Sequence, residues 1–133
     1  MDIIDELKAQ SLFKGLDVPE IEKFVPSIST IKFPKDTYVF KAGDDCKGIY
    51  MLRKGKIEIT KMTSDGWRQT LAVFEKGDFM GEIALLENSA HTSDARTIEA
   101  SELFLIPKDF FFELEAKEPF IVLKIIKNIA IIT

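Results

Sequence analysis

The spacing of apolar residues changes from a helical period to a period of two near residue 31. Before that point, residues 2–13 carry apolar side chains at near-helical spacing, which predicts a short amphipathic helix ending before Gly15. A second helix is predicted after Asp17, whose carboxylate caps it while Glu20 stands three positions later. The apolar stripe of this second helix comprises Val18, Ile21, Phe24, Val25 and Ile28.

From Ile31 onward, short segments of strand character alternate with clusters of turn residues. Strands are predicted at 38–40, 48–53, 57–62 and 69–74, with two more inside 94–106. Pro107 is expected to end the sheet because proline cannot donate a hydrogen bond to a neighbouring strand. Many short strands separated by regular turns indicate an antiparallel sandwich or barrel.

Two further helices are predicted after the last strand. The first carries Phe110, Phe111 and Leu114, and the second begins at Pro119. The isoleucines of the second helix crowd more than one face; they are Ile125, Ile126, Ile129, Ile131 and Ile132. Such a helix either dimerises through 119–133, packs back on the rest of the chain, or continues in a longer protein.

Composition limits the class of protein. A chain of 133 residues with 46% hydrophobic content can build one domain with a core, and it is too short for two ordinary domains. The formal net charge of −4 argues against direct nucleic-acid binding, which needs a basic face. A single cysteine excludes an internal disulfide, and the acidic start is unlike a signal peptide, so a cytoplasmic protein is expected. The apolar segment 119–133 is shorter than the roughly 20 residues of a membrane span.

The candidate chemistry lies between residues 76 and 96, in KGDFMGEIALLENSAHTSDAR. Gly81 lets the backbone approach a ligand closely, and a helical turn beginning there directs its free amides outward, as a phosphate site requires. Glu82 follows directly and would accept a hydrogen bond from a sugar hydroxyl of the same ligand. The alternatives are a loop glycine beside a solvated acid, or an acid at a helix start that satisfies local amides.

These residues resemble a known motif. Gly77, Asp78 and Phe79, followed by Gly-Glu-Ile-Ala-Leu-Leu, resemble the phosphate-binding cassette of the cyclic-nucleotide-binding domain family, found in catabolite-activator-type regulators, kinase regulatory subunits and nucleotide-gated channels. The resemblance implies an antiparallel β-roll, jelly-roll-like, with N-terminal helices, a short cassette helix and C-terminal helices. It implies a single domain over 1–133, divided into 1–28, a roll at 29–107 with its cassette at 77–96, and helices at 108–133.

The second half of the cassette departs from the family pattern. Ala90 falls on the family's proline, His91 falls on its phosphate-binding arginine, and Asp94 replaces a frequent threonine. Imidazole offers at most one hydrogen bond where a guanidinium offers a charged fork. The ligand residues implied by the resemblance are Gly81, Glu82, Ile83, Ala84, His91, Thr92 and Ser93.

Other interpretations of these positions stay open. His91 is otherwise a solvated loop residue, and Thr92 stands where members that prefer cGMP often carry threonine. Arg96 is expected to pair with Asp94 or to meet solvent, although Arg53 or Arg96 could replace the missing arginine at the phosphate.

The resemblance implies a non-enzymatic sensor that binds cAMP or cGMP and signals through its C-terminal helices. It also implies homodimerisation through 119–133, with the chain ending inside that helix and an effector or partner protein outside this chain. The alternative is a nucleotide-free interaction or dimerisation module that keeps the fold. A single histidine argues against a multi-histidine metal site and offers no evident nucleophile–base pair, so neither a metal, a cofactor nor an enzyme is expected.

Overall fold

The computed structural model describes residues 2–132 without the side chain of Ile132, so the expectations for that side chain and for Thr133 lie outside the described residues. The strands of the described chain are β1 Ser29–Phe33, β2 Tyr38–Phe40, β3 Gly48–Lys54, β4 Ile57–Met62, β5 Arg68–Phe74, β6 Phe79–Met80, β7 Asp94–Thr97 and β8 Ser101–Pro107. The α-helices are α1 Ile3–Lys8, α2 Val18–Glu22, α3 Glu82–Glu87, α4 Lys108–Lys117 and α5 Pro119–Ile132.

The strands form two antiparallel sheets of four strands each. One sheet has the order β1-β8-β3-β6 and the other has the order β2-β7-β4-β5. The predicted antiparallel β-roll with helices at both ends is confirmed, and its sheets do not close into a barrel. Strand β6 is only two residues long, too short for the period of two to reveal it in the sequence.

Strand β3 lies at the boundary of two hydrophobic cores. Ile49 and Met51 pack among the helices at one face of their sheet, whereas Tyr50 and Leu52 pack against the second sheet. Alternate residues of a strand point to opposite faces, so a strand buried on both sides must be apolar at every position. This explains the continuous apolar sequence of β3, and it applies in the same way to Phe79 and Met80 of β6.

The N-terminal region differs from the single helix expected over residues 2–13. Helix α1 ends at Lys8, and a separate 3-10 turn covers Ser11–Phe13. Gln10 Nε2 donates to Leu52 O at 3.1 Å, which fixes the chain to β3 between the two elements. Ser11 N–H likewise donates to Gly77 O at 3.0 Å. These contacts to the roll interrupt the helix, and local periodicity cannot show them.

Helix α2 begins as expected but is shorter than its apolar stripe. Asp17 and Glu20 form a capping box, since each side chain accepts from the other's backbone N–H at 2.9 Å. The helix ends at Glu22, and Phe24, which lies in the short segment after the helix, is also buried.

Helix α5 packs partly on the rest of the domain. Ile125 and Ile129 are buried, and Asn128 Nδ2 donates to the carbonyls of Leu12 and Lys14 at 2.7 and 2.8 Å. The expectation that these isoleucines pack back on the domain is therefore correct for one face of the helix. Ile131 lies on the remaining surface and is 81% exposed. No helix within residues 2–132 combines the length and apolarity that crossing a membrane requires.

Replacing Gly48 with alanine is expected to lower the free energy of unfolding by about 3 kcal/mol. Gly48 has φ +152°, and an added Cβ would lie 1.9 Å from Ile106 O on the neighbouring strand β8. The overlap involves backbone, so β3 and β8 would have to separate. Equilibrium unfolding in urea measures the loss.

Gly66→Ala is the matched control for Gly48→Ala. Gly66 also has a positive φ, of +89°, but a Cβ there would meet nothing within 4 Å. Gly66→Ala should therefore lower the free energy of unfolding by only about 1 kcal/mol, the cost of a positive φ at alanine. Equal losses for the two variants would contradict the steric explanation.

Candidate functional site

The cassette turn is shaped by the left-handed backbone of Gly81. Gly81 has φ 88° and caps α3 directly after β6. An added Cβ would lie 3.0 Å from Gly48 O and 3.4 Å from His91 Cε1, so a side chain fits neither the backbone angle nor the space. The glycine thus brings the start of α3 against β3 and His91.

All of the sequence-predicted site residues line one cavity of about 160 Å³. These are Gly81, Glu82, Ile83, Ala84, His91, Thr92 and Ser93, and the cavity is completed by Phe40, Ile59, Phe74 and Met80. The structure therefore brings both halves of the cassette together. Their role in binding a ligand stays a prediction.

Sequence reasoning missed the four apolar lining residues. Phe40, Ile59 and Phe74 lie on β2, β4 and β5, and Met80 is the last residue of β6. Their only sequence signal is the alternation of apolar residues, which marks every inward-facing position of a roll. Which of the inward-facing positions line the cavity depends on how the strands pair.

Glu82 is a buried carboxylate at the cavity wall. It is 8% exposed, and within residues 2–132 no other residue donates a hydrogen bond to its side chain. Burial raises the pKa of Glu82, and a hydrogen bond from its own backbone N–H partly opposes that increase. The backbone amides of Ile83 and Ala84 also donate to no acceptor in this part of the chain. The turn therefore offers one acceptor group beside two free donors.

His91 is buried, so the interpretation of it as a solvated loop residue is wrong. Its ring stacks on Phe40 at 3.7 Å between centroids and 7° between planes. The backbone is fixed by bonds from His91 N–H to Asp44 O at 3.0 Å and from Gly43 N–H to His91 O at 2.8 Å. Burial lowers the pKa of His91, against a smaller opposing effect of the Asp44 carboxylate. The site therefore holds a neutral imidazole at pH 7, not a cation.

The arginines of the chain are engaged elsewhere. Arg53 Nη2 pairs with Glu6 at 2.7 Å and its Nη1 pairs with Glu102 at 2.9 Å. Neither Arg53 nor Arg96 lines the cassette cavity, so the structure gives no support to either as a replacement for the missing phosphate-binding arginine.

Asp94 does not pair with Arg96, contrary to expectation. Arg96 Nη1 pairs with Asp36 at 2.9 Å, while Asp94 accepts from Arg68 at 2.7 Å and from the backbone N–H of Ala42 at 2.7 Å. Residues two apart on a strand share a face, but the long arginine side chains reach across neighbouring strands. Asp94 thereby links the end of the cassette both to β5 and to the loop that follows β2.

A match to the family model of the cyclic nucleotide-binding domain covers residues 30–118, more than half of the chain. The chain therefore belongs to the cyclic nucleotide-binding domain family. Together with its relatives, this identifies a cyclic nucleotide-binding regulatory domain of the kind found in catabolite-activator-type regulators and in kinase regulatory subunits.

Two curated relatives illustrate the family. The Anaerobic regulatory protein of Bacillus subtilis is 37% identical over 92 residues, covering 68% of this chain and 39% of that protein. The Cyclic AMP receptor protein of Thermus thermophilus is 24% identical over 115 residues, covering 86% of this chain and 53% of that protein. The chain thus spans about half, or less, of the relatives' own length.

A solved structure shows the same fold. The regulatory subunit of a cAMP-independent protein kinase A from Trypanosoma brucei superposes with a TM-score of 0.83 and 21% identity, covering 96% of this chain and 45% of that one. A triple variant of that subunit, in which one replacement turns a threonine into an arginine, was solved bound to cAMP.

Glu82→Gln is expected to raise the free energy of unfolding at pH 7 by on the order of 1 kcal/mol. Because the folded-state pKa of Glu82 is raised, the folded protein holds the proton more tightly than the unfolded chain does. Its stability therefore falls as pH rises from the unfolded value of 4.5 through the folded one. The neutral amide avoids this loss, so the difference should vanish below about pH 4. Urea unfolding across pH measures both effects.

Glu87→Gln is the control for the buried position. Glu87 belongs to the same helix but is exposed. Its replacement should change stability by less than about 0.5 kcal/mol at pH 7. A stability gain for Glu82→Gln that persists unchanged at pH 4 would contradict the burial argument.

Proposed function

We propose that this domain is a non-enzymatic sensor that binds cAMP or cGMP in the cassette cavity and transmits occupancy through α4 and α5. The observation that carries the proposal is the buried Glu82 carboxylate, which faces the cavity without a partner from another described residue. A carboxylate accepts a hydrogen bond from a sugar hydroxyl, while the free amides of Ile83 and Ala84 suit an anionic phosphate. A cyclic nucleotide carries both groups next to each other.

His91 makes the phosphate half of the site weak. A neutral imidazole supplies one donor, where a guanidinium would supply two and a permanent charge. Loss of such a fork costs on the order of 2–3 kcal/mol, or roughly 30- to 150-fold in affinity. A triple variant of the Trypanosoma brucei subunit that carries an introduced arginine was solved with cAMP bound, so the same fold accommodates this ligand.

His91→Arg is expected to strengthen cAMP or cGMP binding by roughly 30- to 150-fold. Calorimetric titration of the original chain and the variant with each nucleotide at pH 6 measures the gain. The original chain should also bind more tightly as pH falls below 6.5, because a phosphate favours imidazolium while burial lowers the pKa of His91 in the free domain. Binding by the original chain that does not change between pH 5.5 and 8 would remove His91 from the phosphate contact.

Glu82→Ala is the specificity control for the titrations. It removes the proposed hydroxyl acceptor, so it should abolish nucleotide binding, whereas the exposed Glu87→Ala should leave it unchanged. Equal heats from Glu82→Ala and the original chain would contradict a site at the cassette. Absence of binding by folded original chain and by folded His91→Arg would contradict the sensor function itself.

The proposed output runs through the C-terminal helices. Phe110 of α4 contacts Phe24 edge-on at 5.7 Å between centroids, and Lys124 of α5 pairs with Glu20 at 2.8 Å. These contacts join α4 and α5 to the N-terminal helices, which lie on the same core as Ala84 and Leu85 of α3. A ligand that moves α3 therefore acts on a core shared with both terminal regions.

The exposed face of α5 is proposed to form a homodimer. Phe120 is 80% exposed and Ile131 is 81% exposed, and Leu123 is also exposed. Large apolar side chains grouped on one surface favour a protein partner over water.

Leu123→Glu is expected to weaken self-association at least about ten-fold without unfolding the domain, because the residue is exposed and the introduced charge would be buried in a dimer. Sedimentation velocity over a range of concentrations measures the change. Leu71→Glu, the same replacement at an exposed leucine of β5, tests whether the added charge alone has the effect. A monomeric original chain at high concentration would contradict the dimer.

A further inference from the structure

A second cavity of about 320 Å³ is also lined by the stacked rings of His91 and Phe40. The lining residues are Val39, Phe40, Asp44, Asp45, Lys47, Tyr50 and His91. Only Phe40 and His91 also line the cassette cavity, so the two spaces are distinct.

Two buried polar side chains at this cavity have no partner. Tyr50 is 3% exposed and His91 is 5% exposed, yet within residues 2–132 neither the tyrosine hydroxyl nor an imidazole nitrogen makes a hydrogen bond. Buried polar groups are nearly always satisfied, by protein, water or ligand. In the described chain, only Gln10 Oε1 is both fully shielded and unpartnered, so the polar atoms of Tyr50 and His91 still border open space. A molecule in the cavity can reach them.

The charged side of the cavity is held rigidly. Asp44 accepts from the backbone N–H of Lys41 at 2.9 Å, and its own backbone N–H donates to Lys41 O at 3.0 Å. The loop is also tied to the backbone of His91, because Gly43 N–H donates to His91 O and His91 N–H donates to Asp44 O. Asp45 therefore projects from an ordered turn, and its carboxylate has no ion pair in the described chain. A fixed loop backbone lowers the entropy that binding must overcome.

The lining chemistry favours a positively charged organic group. Two carboxylates, Asp44 and Asp45, face one ammonium, Lys47, so the excess charge is negative. The rings of Phe40 and Tyr50 lie 6.1 Å apart and form an aromatic wall, which attracts cations through the ring face. No group of three or more His, Cys, Asp and Glu side chains in residues 2–132 is arranged to hold a metal ion.

We propose that this cavity binds a small primary ammonium compound. Asp45 and Asp44 would supply the counter-charge, and one nitrogen of the neutral His91 ring and the Tyr50 hydroxyl would accept hydrogen bonds. An ammonium group carries three donors, which matches a site rich in acceptors. A hydroxyl on the same molecule would take the second hydrogen-bonding capacity of Tyr50.

Ethanolamine is the probe, because it carries an ammonium and a hydroxyl two carbons apart. Titration of the isotope-labelled chain, followed by amide chemical shifts, should give saturable changes at residues 44–50. Ethylene glycol has nearly the same size without the charge and should give none. Equal shifts with both compounds, or shifts that never saturate, would overturn the proposal.

Asp45→Asn should weaken ethanolamine binding by roughly two- to five-fold, the effect of removing one exposed charge pair. The matched control is Asp5→Asn, another exposed aspartate, which does not line this cavity and should not change the affinity. Unchanged binding by Asp45→Asn would overturn the proposal. So would saturable shifts with inorganic phosphate that are lost in Lys47→Ala, because they would show an anion site.

This proposal shares His91 with the proposed nucleotide sensor, but the two are tested separately. Asp45 does not line the cassette cavity, so Asp45→Asn should leave the titration with cAMP or cGMP unchanged. A chain that binds ethanolamine and no nucleotide would retain this site and contradict only the proposed function.

Discussion

Strand β3 must satisfy two hydrophobic cores at once, and both the helices and the second sheet depend on it. Its residues alternate between the helical core and the interior of the roll, so an insertion of one residue would exchange the two sets. Gly48 begins this strand, where its backbone passes too close to Ile106 for any side chain. The same strand pairs with β6, which leads into the cassette turn at Gly81. The position of the site therefore depends on how β3 packs.

Burial also sets the electrostatics of the site. Desolvation acts in opposite directions on the two ionisable cassette residues, raising the pKa of Glu82 and lowering that of His91. Each is driven toward its neutral form, because burial in an apolar wall disfavours the charged form of either group. In the proposed sensor, an anionic ligand would reverse the shift at His91, so binding and protonation would be linked.

The stacked rings of His91 and Phe40 line two chemically different spaces. The cassette cavity presents free amides and one buried carboxylate, whereas the second cavity presents the carboxylates of Asp44 and Asp45 on an ordered loop. Because the backbone of His91 is fixed by bonds to that loop, a change in either cavity acts on the same imidazole. His91, which stands where the family has an arginine, would therefore affect the binding of both proposed ligands.

The sequence by itself determined an antiparallel β domain, most strand positions and the capping box at Asp17, because these depend on local periodicity and turn chemistry. The roll and the cassette from Gly81 onward were implied by the resemblance of the motif to a known family. Tertiary structure decided what depends on distant partners. The burial of His91 requires Phe40, fifty-one positions earlier, and the ion pair of Asp94 requires Arg68 on another strand. A side chain's neighbours across strands follow from register and packing, which no local pattern encodes.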